Sequence, residues 1–215
     1  MTVVEIRRPG SVSAMSMRGF FKRLVFGACL VVVWPMILAA WVEKRVSRGE
    51  AVFVCLNQLL ALIPGLVGTY LRGAYYYGSL DKCSWQVHIG FGTVFTNREA
   101  RLGTSISMGA YCVIGHARIG DHVMMASRIS IPSGRRQHID DSGRLSSEPR
   151  FETVEIGTGS WIGEGAIIMA NVGERCIVSA GAVVVNDAPR ECLLAGNPAT
   201  VVRALTHDTN GLQVS

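Results

Sequence analysis

Aliphatic residues followed by a small residue recur every six positions: Leu102-Gly103, Met108-Gly109 and Ile114-Gly115 in one block, Ile156-Gly157, Ile162-Gly163 and Ile168 in another. That period is too long for the alternation of one strand and too short for a helical repeat. It predicts a left-handed parallel β-helix, in which each aliphatic side chain enters a narrow triangular core. The small residue after it permits the tight turn between flat faces. An imperfect first coil begins at Ile89-Gly90, the step from Ile114 to Ile119 is one residue short, and Met125-Ala126 and Ile131 end the first block. The second block is shortened at Asn171-Val172-Gly173 and resumes at Val178 and Val184, with Ser160, Ala166, Cys176 and Ala182 as recurring small residues. At roughly 18 residues per coil the pattern predicts about five coils.

Before the repeat the pattern is apolar without a period. Leu24 to Val42 carries no charge and approaches the roughly 20 residues that cross a bilayer. Arg18, Lys22 and Arg23 precede it, Lys44, Arg45 and Arg48 follow it, and a second apolar run, Ala51 to Leu71, is interrupted by Asn57, Gln58 and Pro64-Gly65. A charged segment followed by a second apolar run is not the layout of a cleaved signal peptide. The reading is an uncleaved, helical membrane anchor, the second run returning as a hairpin partner or lying in the interface. The bland alternative is a pair of soluble helices covering the open end of the solenoid. The expected division is an apolar membrane-associated segment 1–72, a connector 73–88, the β-helix 89–205 and a tail 206–215.

The formal net charge of +5 sits largely with the basic residues near the N-terminus, which suits an anionic membrane surface, and nothing reads as a nucleic-acid module. Cys29, Cys55, Cys83, Cys112, Cys176 and Cys192 form no CxxC pair, and two of them occupy small inward positions of the repeat, so reduced structural thiols are expected.

Residues 132–153 (PSGRRQHIDDSGRLSSEPRFET) break the repeat with polar and charged sequence. A solenoid accommodates such an insertion at a corner, where it projects as a loop, and such loops carry function more often than the scaffold does. This loop holds His138, with Arg135 and Arg136 before it and Asp140 and Asp141 after it. Histidine, with an unperturbed pKa of about 6.5, is the side chain suited to exchanging a proton near neutral pH.

One repeat type with a basic, histidine-bearing loop, then IGTGSWIGEGAII and a closing AGNPATVVRAL, resembles the hexapeptide-repeat acyltransferase superfamily. Within it the chain is most similar to the sugar O-acetyltransferase and xenobiotic acetyltransferase branch. The resemblance covers roughly Ile89 to Leu205. It implies a homotrimer, acetyl-CoA as co-substrate, no metal, and active sites in clefts between neighbouring β-helices. It implies His138 as general base, and Gly163, Ala180, Val185, Asn186 and Arg203 along the coenzyme. Family members often carry Thr-Lys where this chain has Val185-Asn186, and a sugar-holding Asn where it has Met108-Gly109. Arg135 and Arg136 would meet a coenzyme phosphate or an anionic acceptor.

The expected function is therefore O-acetylation of a carbohydrate hydroxyl, on a sugar or a lipid-linked saccharide, in cell-surface polysaccharide assembly. The chain would sit at the inner or plasma membrane with its catalytic domain in the cytoplasm, where acetyl-CoA is found. Three alternatives are weighed against it. Antibiotic or xenobiotic acetylation shares the chemistry. A non-catalytic trimeric membrane scaffold has no use for a loop base. A zinc hydratase of the carbonic-anhydrase kind needs three histidines, and His116 and His122 lack a close third. His88 and His207 fall at the margins of the repeat.

Overall fold

A computed structural model describes residues 17–47, 49–134, 138, 144–145 and 151–205. Three helices precede the repeat: α1 (Met17–Val46), α2 (Ala51–Ala61) and α3 (Gly65–Ser79). Pro64-Gly65 ends one helix and starts the next, so the second apolar run folds as two short helices and not as a span. The solenoid follows coil by coil. The first coil is β1 (Val87–Ile89), β2 (Val94–Phe95) and β3 (Arg101–Leu102), and the second is β4 (Ile106–Met108), β5 (Val113–Ile114) and β6 (Ala117–Ile119). The third is β7 (Met124–Met125), β8 (Ser130–Ile131) and, after the loop, β9 (Val154–Ile156). Then come β10 (Trp161–Ile162) with β11 (Ile167–Ile168), β12 (Ile177–Val178) with β13 (Val183–Val184), and a closing hairpin of β14 (Cys192–Gly196) and β15 (Ala199–Ala204).

Each strand pairs in parallel with its counterpart one coil away, which yields three flat faces. The first face runs β1-β4-β7-β10-β12-β14 and ends with β15 antiparallel, the second runs β2-β5-β8-β11-β13, and the third runs β3-β6-β9. Val172 and Ala188 continue the third face as single bridges. The first face thus stacks six parallel rungs, one more than the repeat count predicts, because β14 adds a rung beyond Val184, where the aliphatic period ends. The expected inward residues, from Leu102 and Met108 through Ile156 and Ile162 to Val178 and Val184, are all buried. Buried hydroxyls lock coil to coil: Ser160 Oγ donates to Gly173 O at 2.9 Å and accepts from Cys176 N at 3.1 Å.

The open N-terminal end of the core is covered by α2 and α3. Tyr76 meets Phe95 of the first coil with ring centroids 4.6 Å apart, and Phe53 and Tyr75 stack beside them. Arg72 is buried and spends its donors on backbone carbonyls, reaching Ile89 O at 3.0 Å, Leu60 O at 3.1 Å and Ile63 O at 2.8 Å, which satisfies the end of α2. Glu43 near the end of α1 accepts Val52 N at 2.7 Å and Phe53 N at 3.1 Å, and so caps the start of α2. Arg98, from the turn before β3, holds Glu43 at 2.5 Å and Ala40 O at 2.8 Å. The second run therefore covers the solenoid, whereas α1 covers α3 with one stripe only, Val33, Ile37 and Ala40.

Candidate active site

The insertion leaves the solenoid at the corner between the second and third faces. Its two roots close on each other, with Glu152 N donating to Ser133 O at 3.0 Å. Gly134 takes φ +87, and a Cβ there would lie 2.6 Å from that of Glu152, so only glycine fits between the roots. One coil earlier, at the same corner, His116 fastens both roots. Its amide donates to the buried Ser133 Oγ at 2.8 Å, and its carbonyl accepts Val154 N at 3.0 Å. Its imidazole lies between Thr153 and Glu99, with Nδ1 3.5 Å from Thr153 Oγ1 and Nε2 3.5 Å from Glu99 Oε2. Glu99, His116 and Ser133 are each 17 residues apart and stack in successive coils of one corner column.

His138 sits in a turn with its side chain open to solvent, and Leu145 is exposed beyond it. Arg135, Arg136, Asp140 and Asp141 lie outside the described residues. On the C-terminal side of the roots a cleft of about 200 Å³ is lined by Gly134, Glu152 and Thr153 from the loop ends, and by Met169, Val185 and Asn186 from the next two coils. Val185 and Asn186 thus share a corner with the loop two coils below it, a separation of roughly 10 Å at about 4.8 Å per coil.

Gly163 and Ala180 occupy the other edge of the second face, one above the other at the corner with the first. Gly163 N donates to Val178 O at 2.8 Å, and a Cβ on Gly163 would come within 2.5 Å of Ala180 N. The stacking of coils alone demands glycine there. Ala180 is exposed, and Arg203 is exposed on β15 opposite Leu193. The structure therefore brings the loop roots and Val185-Asn186 to one cleft, sets Gly163 and Ala180 across the face from it, and leaves Arg203 on the closing hairpin. Glu99, Ser133 and Thr153 were not singled out by sequence; a 17-residue interval aligns Glu99 and Ser133 with His116 and was the available signal for those two, whereas nothing in the spacing pointed to Thr153. His88 and His122 are exposed and away from this corner, and His207 lies outside the described residues.

Among the described residues no group of three or more His, Cys, Asp or Glu side chains is arranged to hold a metal ion. Cys83, Cys112, Cys176 and Cys192 are buried packing groups, whereas Cys55 is exposed and Cys29 half-buried on the N-terminal helices. Burial raises Cys83 to about 12, and burial together with the neighbouring Cys176, whose sulfur is 3.6 Å away, raises Cys192 to about 11.

No family model matches the chain. Galactoside O-acetyltransferase of Escherichia coli is 30% identical over 210 residues, covering 95% of this chain and 90% of that protein. A Saccharomyces cerevisiae relative is 37% identical over 90 residues, 41% of this chain and less than half, 45%, of its own length. Among solved structures, a maltose O-acetyltransferase of Clostridium difficile superposes with a TM-score of 0.65 at 22% identity, over 74% of this chain and 87% of that one. A galactoside acetyltransferase in complex with coenzyme A superposes with a TM-score of 0.62 at 17% identity, over 75% and 84% of the two chains. These likenesses share the left-handed β-helix, and the near-full-length match fixes the lineage: the chain belongs to the hexapeptide-repeat acyltransferase superfamily.

Proposed function

We propose that this acyltransferase moves an acetyl group from acetyl-CoA to a hydroxyl of a saccharide, with His138 as general base. The observation that carries the proposal is the corner cleft, where the roots of the histidine loop and Val185-Asn186 meet. A near-full-length relative named for O-acetylation of a galactoside, and structural neighbours crystallised with coenzyme A or acetyl-CoA, support the same donor and acceptor class. A partial relative named for lipopolysaccharide biosynthesis supports a lipid-linked or polymeric saccharide in cell-surface assembly.

In the reaction, His138 takes the proton of the acceptor hydroxyl as its oxygen attacks the thioester carbonyl. The new C–O bond gives a tetrahedral oxyanion, held by a backbone amide of an adjacent coil. Collapse breaks the C–S bond, and the imidazolium returns its proton to the departing thiolate. The roots closed on His116 hold the loop at the corner where this must happen, since a misplaced base loses rate steeply.

A homotrimer completes the clefts. The first and second faces bear exposed apolar side chains, Tyr111, Val113, Met124, Trp161 and Ile167, that neighbouring copies would cover. The length and apolarity of α1 support a seat at the cytoplasmic surface of the inner or plasma membrane, with the solenoid on the side where acetyl-CoA is made.

Acceptor-dependent release of CoA thiol, measured across a panel of mono- and oligosaccharides, with the O-acetyl group located by NMR, tests this reading. Ester formation on one sugar class supports it. Absence of acetyl-CoA binding and turnover on every acceptor overturns it in favour of a trimeric scaffold.

A further inference from the structure

The first helix has the length and apolarity to cross a bilayer, but its attachments forbid that orientation. α1 is fastened to the body near both ends and in the middle. The Arg23 guanidinium lies 5.2 Å from the Trp85 ring centroid, and Phe26 packs edge-on against Trp85 and Tyr77. In the middle, Ile37 fills the space over Gly78, where an added Cβ would approach it to 2.6 Å. Near the C-terminal end, Trp41 Nε1 donates to Gly78 O at 2.8 Å, Arg98 binds Ala40 O and Glu43, and Lys44 lies 3.7 Å from Asp81. Asp81 also pairs with the half-exposed Arg101. Were α1 to cross a membrane, the edge of the first coil packed along it, with Gln86 and His88 beside Phe26, would be carried toward hydrocarbon, which polar groups resist.

The opposite side of the same helix cannot stay in water either. Phe21, Leu24, Val31, Trp34, Leu38 and Val42 are exposed along its length, and Val52 of α2 continues the apolar surface. Lys22 and Arg23 stand at one end of this strip and Lys44 and Arg45 at the other. Glu43, the one acidic residue of α1, is turned inward and neutralised by Arg98. An apolar strip with cationic ends, where the one exposed acid beside it, Asp81, is paired with Lys44 and Arg101, is complementary to an anionic lipid leaflet.

We infer that α1 lies flat in the headgroup–acyl boundary of an anionic bilayer, as a monotopic float that holds the first coil against the membrane without crossing it. This deepens the proposed membrane association and rests on it. A flat α1 resolves the topology: every coil stays on the cytoplasmic side, and an acceptor carried by a lipid is met at the surface in which the enzyme rests.

The full-length protein, in a Cys29→Ser/Cys55→Ser background, is labelled with nitroxide at single cysteines replacing Leu24, Val31 or Leu38. It is then mixed with phosphatidylcholine–phosphatidylglycerol vesicles and read for depth by spin-label relaxation. The three labels are expected at one shallow depth, with vesicle binding weakened by salt, by pure phosphatidylcholine, and about 10-fold by each of Leu24→Glu and Leu38→Glu. A label at 31 near the bilayer centre with 24 and 38 shallower means a span and overturns the inference. Labels that stay aqueous while the protein self-associates mean that a second copy covers the strip, and overturn it too. Acetyl transfer to a soluble saccharide by Leu24→Glu and Leu38→Glu is expected unchanged, so lost docking is separable from a failure of the catalytic reading, which shows as no turnover by the parent chain.

Discussion

At the residue scale, the molecule depends on a few polar side chains that serve two elements at once. Arg98 is the clearest, since it holds α1 by Ala40 O and Glu43 while its own amide binds Glu50 at 3.1 Å. Replacing it strands a buried carboxylate, so Arg98→Met is expected to cost about 3–5 kcal/mol. Adding Glu43→Gln should recover part of that, because the amide oxygen still accepts from Val52 N and no charge is left unpaired, although Phe53 N loses its acceptor. Denaturant unfolding of the two variants checks this; a double variant no more stable than the single would show that ion-pair loss is not the cause. His116 is the counterpart at the loop. It was visible in sequence, but the partners that give it a role, Glu99, Ser133 and Thr153, come from the coils on either side. Only the 17-residue interval hints at the first two.

At the element scale, the strands were legible because a triangular core admits one kind of side chain at each sixth position, and burial of Ile156, Ile162 and Ile168 follows from that alone. The first coil was harder to read. Its core position on the second face is Phe95, which packs on helix residues, so the aliphatic period begins only after it. The second apolar run was ambiguous for a related reason: a helix buried against a solenoid and one buried in lipid need the same composition. Gly163 shows how an element can imitate a site. Its small size follows from the next coil lying 2.5 Å from a would-be Cβ, whatever binds alongside. Gly163→Ala is expected to destabilise the solenoid by about 1–3 kcal/mol through overpacking. Thermal unfolding should show the loss, whereas Gly165→Ala, where a Cβ meets nothing within 4 Å, pays only for its φ of +69.

At the scale of the whole molecule, three surfaces divide the work: a helical cap with an exposed apolar side, a loop-bearing corner, and first and second faces that bear exposed apolar side chains. Trp161 is 45% exposed beside Met124 on the first face, an arrangement that a lone copy leaves in water. If these faces are the seam of the proposed trimer, Trp161→Glu shifts the mass in sedimentation equilibrium from trimer to monomer and lowers turnover with it. An unchanged mass would place the interface elsewhere. The likeness to known transferases was legible from the loop and the closing AGNPATVVRAL, but the cleft was not, because it is assembled from segments 51 residues apart, Gly134 to Val185, that only coil stacking brings together.

The central claim is that His138 moves the proton in acetyl transfer. It is tested most directly by single-turnover acetyl transfer with the wild type, His138→Ala and His116→Ala, and acetyl-CoA affinity measured on the same samples. The account predicts unchanged affinity in all three, a rate lowered at least about 100-fold in His138→Ala, and a smaller loss in His116→Ala, whose backbone bonds to the loop roots persist. A His138→Ala enzyme that binds acetyl-CoA and transfers acetyl at the wild-type rate would contradict it.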